Sequence, residues 1–482
     1  MAESLKDKSI KGISWSFAEQ ILTRGVNFVV GIILARLLSP TDYGLIGMLA
    51  VFLAISQLFI DGGLASALIR EKDASENDYS TVFIINVTLS IVFYFILFFT
   101  SPAIARFYGQ PMLESLLRVM ALSFVIGAVT SVHGTLLTKR VDFKTKSIIS
   151  FLASIVSGSI GIFCAFKGLG PWALVAQTLS SALTVTLLTL VIVHWLPRLV
   201  FSMESFKRLF SYSSKLLGAS LIGTIYYNAY PMVIGKKFSA GDVGLFSRAG
   251  QFPNVVNDTF ISTFNRVAFP VLSRIQDDDR RLLEVFEKYV QVFCFFTFPA
   301  LLGLFGCAHP LVSLLLTDKW IACVPLMQLL CISLLPNGIT IISQNLLYVK
   351  GRSDLVLRME IIKKTVMTIV LFVSMFFGLK AMCYGIIVNS WIDFGFCSYY
   401  TKKILGYRMV QQLRNVAPYF FCSLVVLAES LLASYLIPGN LLSISVSVLL
   451  CAGTYFLITK LSKLYAFNEA MGLLALRKKR PA

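Results

Sequence analysis

The sequence predicts an all-α polytopic membrane protein with 14 transmembrane helices, and three observations lead to this prediction. The 482 residues are 56% hydrophobic and only 14% charged, and the mean hydropathy is +0.77, which is more apolar than a soluble fold can bury. Apolar stretches long enough to cross a bilayer recur along the whole chain. A sequence motif also returns 200 residues after its first occurrence, which indicates a duplication.

About 20 apolar residues are needed to cross a bilayer as a helix, and fourteen stretches meet this length. Their connections are short, so no substantial soluble domain is predicted on either side. The predicted spans are approximately 13–37, 43–60, 80–100, 114–137, 147–166, 171–195, 213–235, 243–268, 285–308, 322–347, 359–378, 382–401, 416–437 and 441–459.

The distribution of lysine and arginine predicts the orientation of these spans. The loops on the side of the N-terminus, with both chain ends, hold 32 of the 43 basic residues, and the opposite loops hold 7. Basic residues mark the cytoplasmic side, so both termini are predicted to be cytoplasmic. The net charge of +18 is therefore attributed to orientation and to contact with anionic membrane lipids, not to nucleic acid.

The repeated motif is ILARLLSPTDYGLI at Ile33–Ile46, which returns as VIGKKFSAGDVGLF at Val233–Phe246. In both copies a Ser-x-x-Asp-x-Gly turn precedes a new helix, and its Ser and Asp are expected to cap that helix. The predicted organisation is an N-lobe of six helices at 1–200, a C-lobe of six at 201–408, two further helices at 409–460 and a basic tail at 461–482. Since six is even, the twofold axis that relates the lobes lies along the membrane normal, and a substrate site is expected between the lobes.

Polar stripes on the first, seventh and eighth helices predict which side chains line a central cavity. On the first and eighth helices the polar residues fall within about 140° of arc at the helical step of roughly 100° per residue. Pro253 removes a backbone hydrogen bond of the eighth helix and is expected to let it bend. The candidate cavity residues are Glu19, Gln20, Arg24, Asn27, Lys215, Tyr227, Arg248, Asn254 and Asp258.

Arg24 lies almost midway along the first predicted span, where an arginine costs about 3 kcal/mol on the lenient insertion scale. It is interpreted either as an anion-binding group or as half of a structural ion pair with Glu19, Asp258 or Asp61. Asp393 and Glu429 are likewise open to two interpretations, a proton or cation site or a role in helix packing.

The sequence indicates no cofactor, metal site or enzymatic activity. The nine cysteines are scattered singly through apolar stretches, which is typical of small core residues. His133, His194 and His309 are far apart, so a histidine metal cluster is not expected. We find no phosphate-binding glycine loop and no Ser/His/Asp set, and transport by direct ATP hydrolysis is therefore unsupported.

Four segments carry a resemblance to a known family: SPTDYG at 39–44, DGGLASALIR at 61–70, GLGPWALVAQ at 168–177 and FPVLSRIQDDD at 269–279. The chain resembles the bacterial polysaccharide exporters, the Wzx-type and colanic-acid-exporter-like flippases of the multidrug/oligosaccharidyl-lipid/polysaccharide flippase superfamily. The resemblance implies two six-helix lobes around a cationic cavity. It also implies that an oligosaccharide repeat unit on undecaprenyl diphosphate crosses the inner membrane from the cytoplasmic to the periplasmic leaflet by alternating access.

With that substrate, Arg24 and either Lys215 or Arg248 are expected to hold the diphosphate. Gln20, Asn27, Tyr227 and Asn254 would then contact sugars. By analogy with the related peptidoglycan-precursor flippase, the last two helices would form a groove for the polyprenyl tail. H⁺ or Na⁺ is a candidate coupling ion, and the polysaccharide polymerase machinery is a candidate partner.

The alternatives are other transporters or membrane enzymes. A peptidoglycan-precursor flippase shares fourteen helices, and an ion-coupled multidrug antiporter of the superfamily has twelve and an acidic cavity. A polymerase or ligase has a large periplasmic loop. A scramblase or channel would work without an ion gradient.

Overall fold

The computed structural model describes residues 22–71, 73–198 and 200–469. These residues form helices and the turns between them, and no strand occurs among them. The all-α class is therefore confirmed. The chain divides into two compact units, 1–244 and 245–482; the predicted lobe boundary near residue 200 stays a prediction.

In the described part of the first unit, ten helices begin before residue 240, and an eleventh begins in the last residues of the unit. The bounds are α1 22–37, α2 Pro40–Asp61, α3 Leu64–Arg70, α4 Glu76–Tyr108, α5 Met112–Met120, α6 Leu122–Ala128, α7 Ser131–Lys139, α8 Phe143–Phe166, α9 Trp172–Ile192, α10 Met203–Lys237 and α11 Ala240–Arg274.

The second unit contains most of α11 and the helices that follow it. A 3₁₀-helix at Asp318–Cys323 lies between α13 and α14. The α-helices are α12 Asp279–Gly306, α13 Ala308–Leu316, α14 Val324–Leu334, α15 Asn337–Val349, α16 Ser353–Ser374, α17 Leu379–Leu405, α18 Met409–Leu436 and α19 Asn440–Leu461.

Eight helical segments of the described chain are long and apolar enough to cross a membrane, and a ninth qualifies if the pair Met112–Ala128 and Ser131–Lys139, bent by 44°, is one span. This establishes a multi-pass membrane protein. Five other predicted spans correspond to α1, α10, α11, α16 and α17, which are absent from that apolar set. All five carry polar or charged side chains that are discussed below. That they also cross the membrane, which would give fourteen spans, stays a prediction.

Both copies of the repeated turn cap their helices as the sequence predicts. Ser39 accepts a hydrogen bond from the Asp42 amide at 3.2 Å, and the Asp42 carboxylate accepts one from the Ser39 amide at 2.8 Å. In the second copy, Ser239 and Asp242 exchange the same two bonds, each at 3.1 Å. Such a reciprocal box satisfies two amides at the free end of a helix. The prediction of capping is confirmed in both copies.

The two copies also pack against each other, backbone to backbone. A Cβ atom on Gly44 would lie 1.5 Å from the carbonyl oxygen of Ala240, and a Cβ on Gly244 would lie 1.9 Å from that of Pro40. Adding 200 to 40 and 44 gives 240 and 244, so each contact is the repeat-exchanged form of the other. This is the pattern of a twofold, self-complementary contact. It supports the duplication independently of sequence identity.

The core of the first unit surrounds the N-terminal half of α4. Asp78 is buried, accepts a hydrogen bond from the Ser75 amide at 2.8 Å and pairs with Arg208 of α10 at 2.5 Å. The Trp195 indole donates to Glu76 at 3.1 Å. These polar contacts fasten α10 and the segment before it to α4. Helix α10 also packs on α2 and α3.

The core of the second unit is rich in phenylalanine. Helix α12 supplies Phe286, Phe293 and Phe298, which pack with residues of α15, α17, α18 and the segment after α19. Tyr419 of α18 accepts a hydrogen bond from the Ala466 amide at 3.2 Å. Helices α18 and α19 are therefore integral to this unit.

Candidate substrate-binding site

Helix α1 carries the first group of predicted site residues. Arg24 and Asn27 are exposed, whereas Val30 and Leu34 pack into the core with residues of α8 and α9. Within the described residues Arg24 makes no ion pair, and the Asp61 carboxylate accepts a hydrogen bond from Gln57 at 2.9 Å. The predicted residues Glu19 and Gln20 lie outside the described residues.

Polar residues that are close in the sequence of helix α10 differ in exposure. Tyr227 is 81% exposed, but Tyr230 and Asn228 are buried. The Asn228 amide donates to the backbone oxygen of Thr224 at 2.9 Å, so its polar group is satisfied within its own helix. Tyr227 is therefore available to a ligand. The side chain of Lys215 lies outside the described part of α10.

Helix α11 carries the third group. Asn254 and Asp258 are exposed. Arg248 is half-buried, with its guanidinium 5.9 Å from the ring centre of the buried Trp320, and it donates a hydrogen bond to Gln251. Pro253 lies within this helix, as predicted.

The predicted residues are thus distributed over the two units. Arg24, Asn27 and Tyr227 belong to the first unit, and Arg248, Asn254 and Asp258 belong to the second. These six side chains are exposed or half-buried. A chamber shared by all six stays a prediction.

The two acids that the sequence singles out within predicted spans both have partners. Glu429 of α18 accepts a hydrogen bond from Thr454 of α19 at 2.6 Å. Asp393 of α17 lies 3.4 Å from the ammonium of Lys363 on α16, which also contacts Glu360 at 3.0 Å. The Lys363 cluster is absent from the predicted site. The sequence signals for it are Asp393, an acid within a predicted span, and the three-residue spacing of Glu360 and Lys363 on one helix face; neither pairs the two helices.

An apolar groove lies in the second unit among α11, α12, α18 and α19. Its volume is about 430 Å³. The lining is almost entirely apolar and includes Phe296, Gly303, Val426, Val448 and Ala452. Such a groove accommodates a hydrocarbon chain and offers little to a sugar or a phosphate.

Metal and disulfide chemistry have little support in the described residues. No group of three or more His, Cys, Asp or Glu side chains is placed to hold a metal ion there. All nine cysteines are free thiols.

Comparison with solved structures defines the class of fold. The lipid II flippase MurJ, in an inward closed conformation, matches with a TM-score of 0.75 over 94% of this chain and 98% of its own, at 14% identity. An inward-facing multidrug resistance MATE family transporter of the MOP superfamily matches with a TM-score of 0.62 over 83% of this chain and 98% of its own, at 15% identity. At these identities the likeness establishes the fold alone.

Sequence comparison then assigns the family. A model of the polysaccharide biosynthesis protein family matches residues 33–325, which is more than half of the chain. The lipopolysaccharide biosynthesis protein WzxC of Escherichia coli is 26% identical over 91% of this chain and 90% of its own. The succinoglycan biosynthesis transport protein ExoT of Rhizobium meliloti is 26% identical over 69% of this chain and 68% of its own.

The chain belongs to the polysaccharide biosynthesis protein family, and the predicted relationship to the Wzx-type exporters is confirmed. The named relatives are transport and biosynthesis proteins, and the fold is that of membrane transporters. A role in polysaccharide transport is therefore supported, and no enzymatic activity is indicated.

Proposed function

We propose that this protein is a flippase for undecaprenyl-diphosphate-linked oligosaccharide repeat units, which it moves from the cytoplasmic to the periplasmic leaflet of the bacterial inner membrane. The observation that carries the proposal is the match to the polysaccharide biosynthesis family in a chain with the fold of a lipid-linked precursor flippase. The product would be a surface polysaccharide such as O-antigen, capsule or exopolysaccharide. Both termini would be cytoplasmic.

The chemistry of the substrate explains why such a protein needs polar helices. A diphosphate and a string of sugars lose their water on entering hydrocarbon, and this loss is costly unless other groups replace the water. Exposed Arg24, Asn27 and Tyr227 in the first unit, and exposed Asn254 in the second, offer such groups.

The roles of the predicted residues follow from their donor chemistry. In the proposal Arg24 holds the diphosphate together with Lys215 or Arg248, because a planar guanidinium presents two parallel donors to phosphate oxygens. Side-chain amides and phenols bind sugar hydroxyls, a role given to Gln20, Asn27, Tyr227 and Asn254. Glu19 and Asp258 would line the same chamber and balance part of its positive charge.

The polyprenyl tail would lie outside the polar chamber, in the apolar groove that α18 and α19 help to form. Support comes from the lining of that groove, which presents hydrocarbon and aromatic surface over about 430 Å³. Leaving the tail in an apolar environment avoids the cost of hydrating it. The polar head would then cross alone.

Alternating access gives the paired turns a role. On the predicted topology, Pro40–Gly44 and Ala240–Gly244 lie on the periplasmic side, where their backbones are in close contact. Opening a cavity to the periplasm would require this contact to separate. An ion gradient, of H⁺ or Na⁺, would supply the energy, and the polymerase machinery would receive the product.

The proposal is tested by replacing Arg24 in cells that depend on this protein for surface polysaccharide. Arg24→Ala should abolish surface polysaccharide at unchanged protein abundance, because the diphosphate loses its planar pair of donors. Arg24→Lys keeps the charge and loses the bidentate geometry, so partial export is expected. Arg280→Ala is the matched control, since Arg280 is 92% exposed and pairs with Glu284 at 3.6 Å. Normal export by Arg24→Ala would remove this residue from the mechanism.

A further inference from the structure

Two carboxylates and one lysine ammonium meet between α16 and α17. The Lys363 Nζ atom lies 3.0 Å from Glu360 Oε1 and 3.4 Å from Asp393 Oδ2, and the Lys363 side chain is only 6% exposed. Glu360 and Lys363 belong to the same face of α16, whereas Asp393 belongs to α17. Lys363 is therefore shared between a partner on its own helix and a partner on the neighbouring helix.

The cluster lies well inside both helices. Lys363 is ten residues from the start of α16 and Asp393 is twelve residues from the end of α17, which correspond to about 15 Å and about 18 Å at the helical rise. If α16 and α17 cross the membrane as predicted, Lys363 lies near the edge of its span and Asp393 lies further inside its own. Charged groups within membrane spans are costly, and they commonly mark ion pathways or proton relays. A fixed ion pair is the simpler explanation, and the unequal surroundings of the two carboxylates argue against it.

Glu360 is the better stabilised carboxylate. It accepts hydrogen bonds from Lys363 at 3.0 Å and from Gln344 of α15 at 3.1 Å, and the Lys364 ammonium lies 3.9 Å away. Asp393 has the Lys363 ammonium at the longer distance of 3.4 Å, and the two carboxylates differ in these contacts and not in exposure, which is 38% for Asp393 and 35% for Glu360. Donors that bind a carboxylate favour its charged form. Adding a proton at Asp393 therefore disturbs fewer donor contacts than adding one at Glu360.

We propose that Asp393 is a proton-binding site whose occupancy makes and breaks the ion pair between α16 and α17. A proton from solvent adds to the Asp393 carboxylate and forms a neutral carboxylic acid, and Lys363 stays paired with Glu360 on its own helix. The charged and titratable groups that face this site in the described chain are Glu360, Lys363 and Lys364 of α16 and Cys397 of α17. The neutral Gln344 completes it from α15.

The consequence is mechanical. When Asp393 is charged, Lys363 ties α17 to α16 deep inside both helices; when Asp393 is protonated, that tie is lost and the packing of the two helices weakens. The use of this site, which is to let a proton gradient drive alternating access, rests on the proposed flippase function. The binding of the proton itself does not depend on that function.

The first experiment uses the full-length protein in lipid nanodiscs and infrared difference spectroscopy. Between about pH 8 and about pH 5, the wild type should gain the C=O stretch of a protonated carboxylic acid. Asp393→Asn should lack this band, and Glu429→Gln should keep it, because Glu429 bonds Thr454 in another part of the unit. Lys363→Gln should retain the band to higher pH, since the ammonium no longer favours the carboxylate. This second variant keeps the test decisive if Asp393→Asn does not fold.

Two outcomes of the spectroscopy would overturn the proposal. One is a wild-type band in folded Asp393→Asn, or a band in Lys363→Gln with unchanged pH dependence. The other is loss of the wild-type band on adding NaCl but not KCl at constant pH, which would identify a sodium site instead.

The second experiment measures flipping of a lipid-linked oligosaccharide in vesicles that contain the protein. An imposed pH gradient should accelerate flipping by the wild type and have no effect on Asp393→Asn. An equal rate of wild-type flipping with and without the pH gradient would contradict the coupling of proton binding to flipping. If the infrared band behaves as expected and the wild type flips nothing, the proton site stands and the proposed function fails.

Discussion

The close contact between the two repeated turns predicts that alanine at Gly44 or Gly244 is strongly destabilising. A new Cβ would lie 1.5 Å from the Ala240 oxygen in one case and 1.9 Å from the Pro40 oxygen in the other. Restoring an ordinary contact of 3.4 Å requires the backbones to separate by about 1.9 Å or about 1.5 Å. Small residues at membrane helix interfaces permit this kind of close backbone approach.

The cost can be estimated from overpacked cores, where an added methyl group typically costs 1–3 kcal/mol. The neighbouring atom here is a backbone oxygen, which no rotamer change can move, so the upper end, about 3 kcal/mol, is expected for each glycine. For a unit of this size that corresponds to a fall in Tm of roughly 6–12 °C. The assay is thermal unfolding of the purified protein, followed by tryptophan fluorescence.

The matched control is Gly223→Ala in α10, because a Cβ at Gly223 would meet nothing within 4 Å. Alanine there should leave Tm unchanged or raise it slightly, since a glycine inside a helix is about 0.5–1 kcal/mol less favourable than alanine. The double variant Gly44→Ala with Gly244→Ala should cost less than the sum of the two single changes, because one separation of the turns relieves both clashes. A Tm for Gly44→Ala equal to that of the control would refute the reasoning, and strict additivity would refute the shared displacement.

Two further predictions concern transport. A Cβ at Gly241 would lie 3.6 Å from the Thr41 hydroxyl, so Thr41→Cys with Gly241→Cys, in a background without the nine native cysteines, should form a disulfide. Oxidation should block export and reduction should restore it, and full export in the cross-linked state would contradict opening at these turns. Ala452→Trp should fill the apolar groove and weaken retention of the lipid-linked substrate in a pull-down assay. Leu449→Trp, a control at a 74% exposed position of α19, should leave retention unchanged. Equal binding by both variants would exclude the groove as the site of the polyprenyl tail.

Local rules explain why the repeated turns could be predicted in detail. Ser39 and Asp42 are three residues apart, and capping requires no information beyond that spacing. Ser75 and Asp78, which have the same spacing, also make a capping box. What the motif does not reveal is that Gly44 contacts Ala240, because that contact depends on how the helices pack.

The charges of α16 illustrate the limit of counting along the sequence. The count of basic residues that predicts the orientation assigns Lys363 to the cytoplasmic loop before the eleventh predicted span. The structure instead buries its side chain between Glu360 and Asp393. The decisive partner is on another helix, thirty residues later, and no periodicity within α16 predicts it. The orientation of the chain does not change, because one lysine is a small part of the excess on that side.

A stripe of polar residues on a helix does not by itself identify cavity-lining side chains. Whether a side chain is exposed, and whether its polar group already has a hydrogen-bond partner, depends on the tertiary structure. On α10, adjacent Tyr227 and Asn228 differ completely: one is exposed and the other is buried and bonded to Thr224. In α11 the Thr259 hydroxyl likewise donates to the backbone oxygen of Val255 at 2.7 Å. A side chain that bonds its own helix can face hydrocarbon at little cost, so it carries no information about a cavity.

The same distinction strengthens the argument for a wet chamber. Arg24 is exposed and lies midway along a predicted span, and a bond to a carbonyl of its own helix would satisfy only one of the five N–H donors of its guanidinium. Facing lipid, it would cost several kcal/mol; facing water or a phosphate, it would not. If α1 crosses the membrane as predicted, we expect the exposed side of Arg24 to face an aqueous cavity, a bound ligand or an acidic partner such as Glu19. Labelling a cysteine at position 24 with a membrane-impermeant thiol reagent, in the background without native cysteines, would decide between water and lipid.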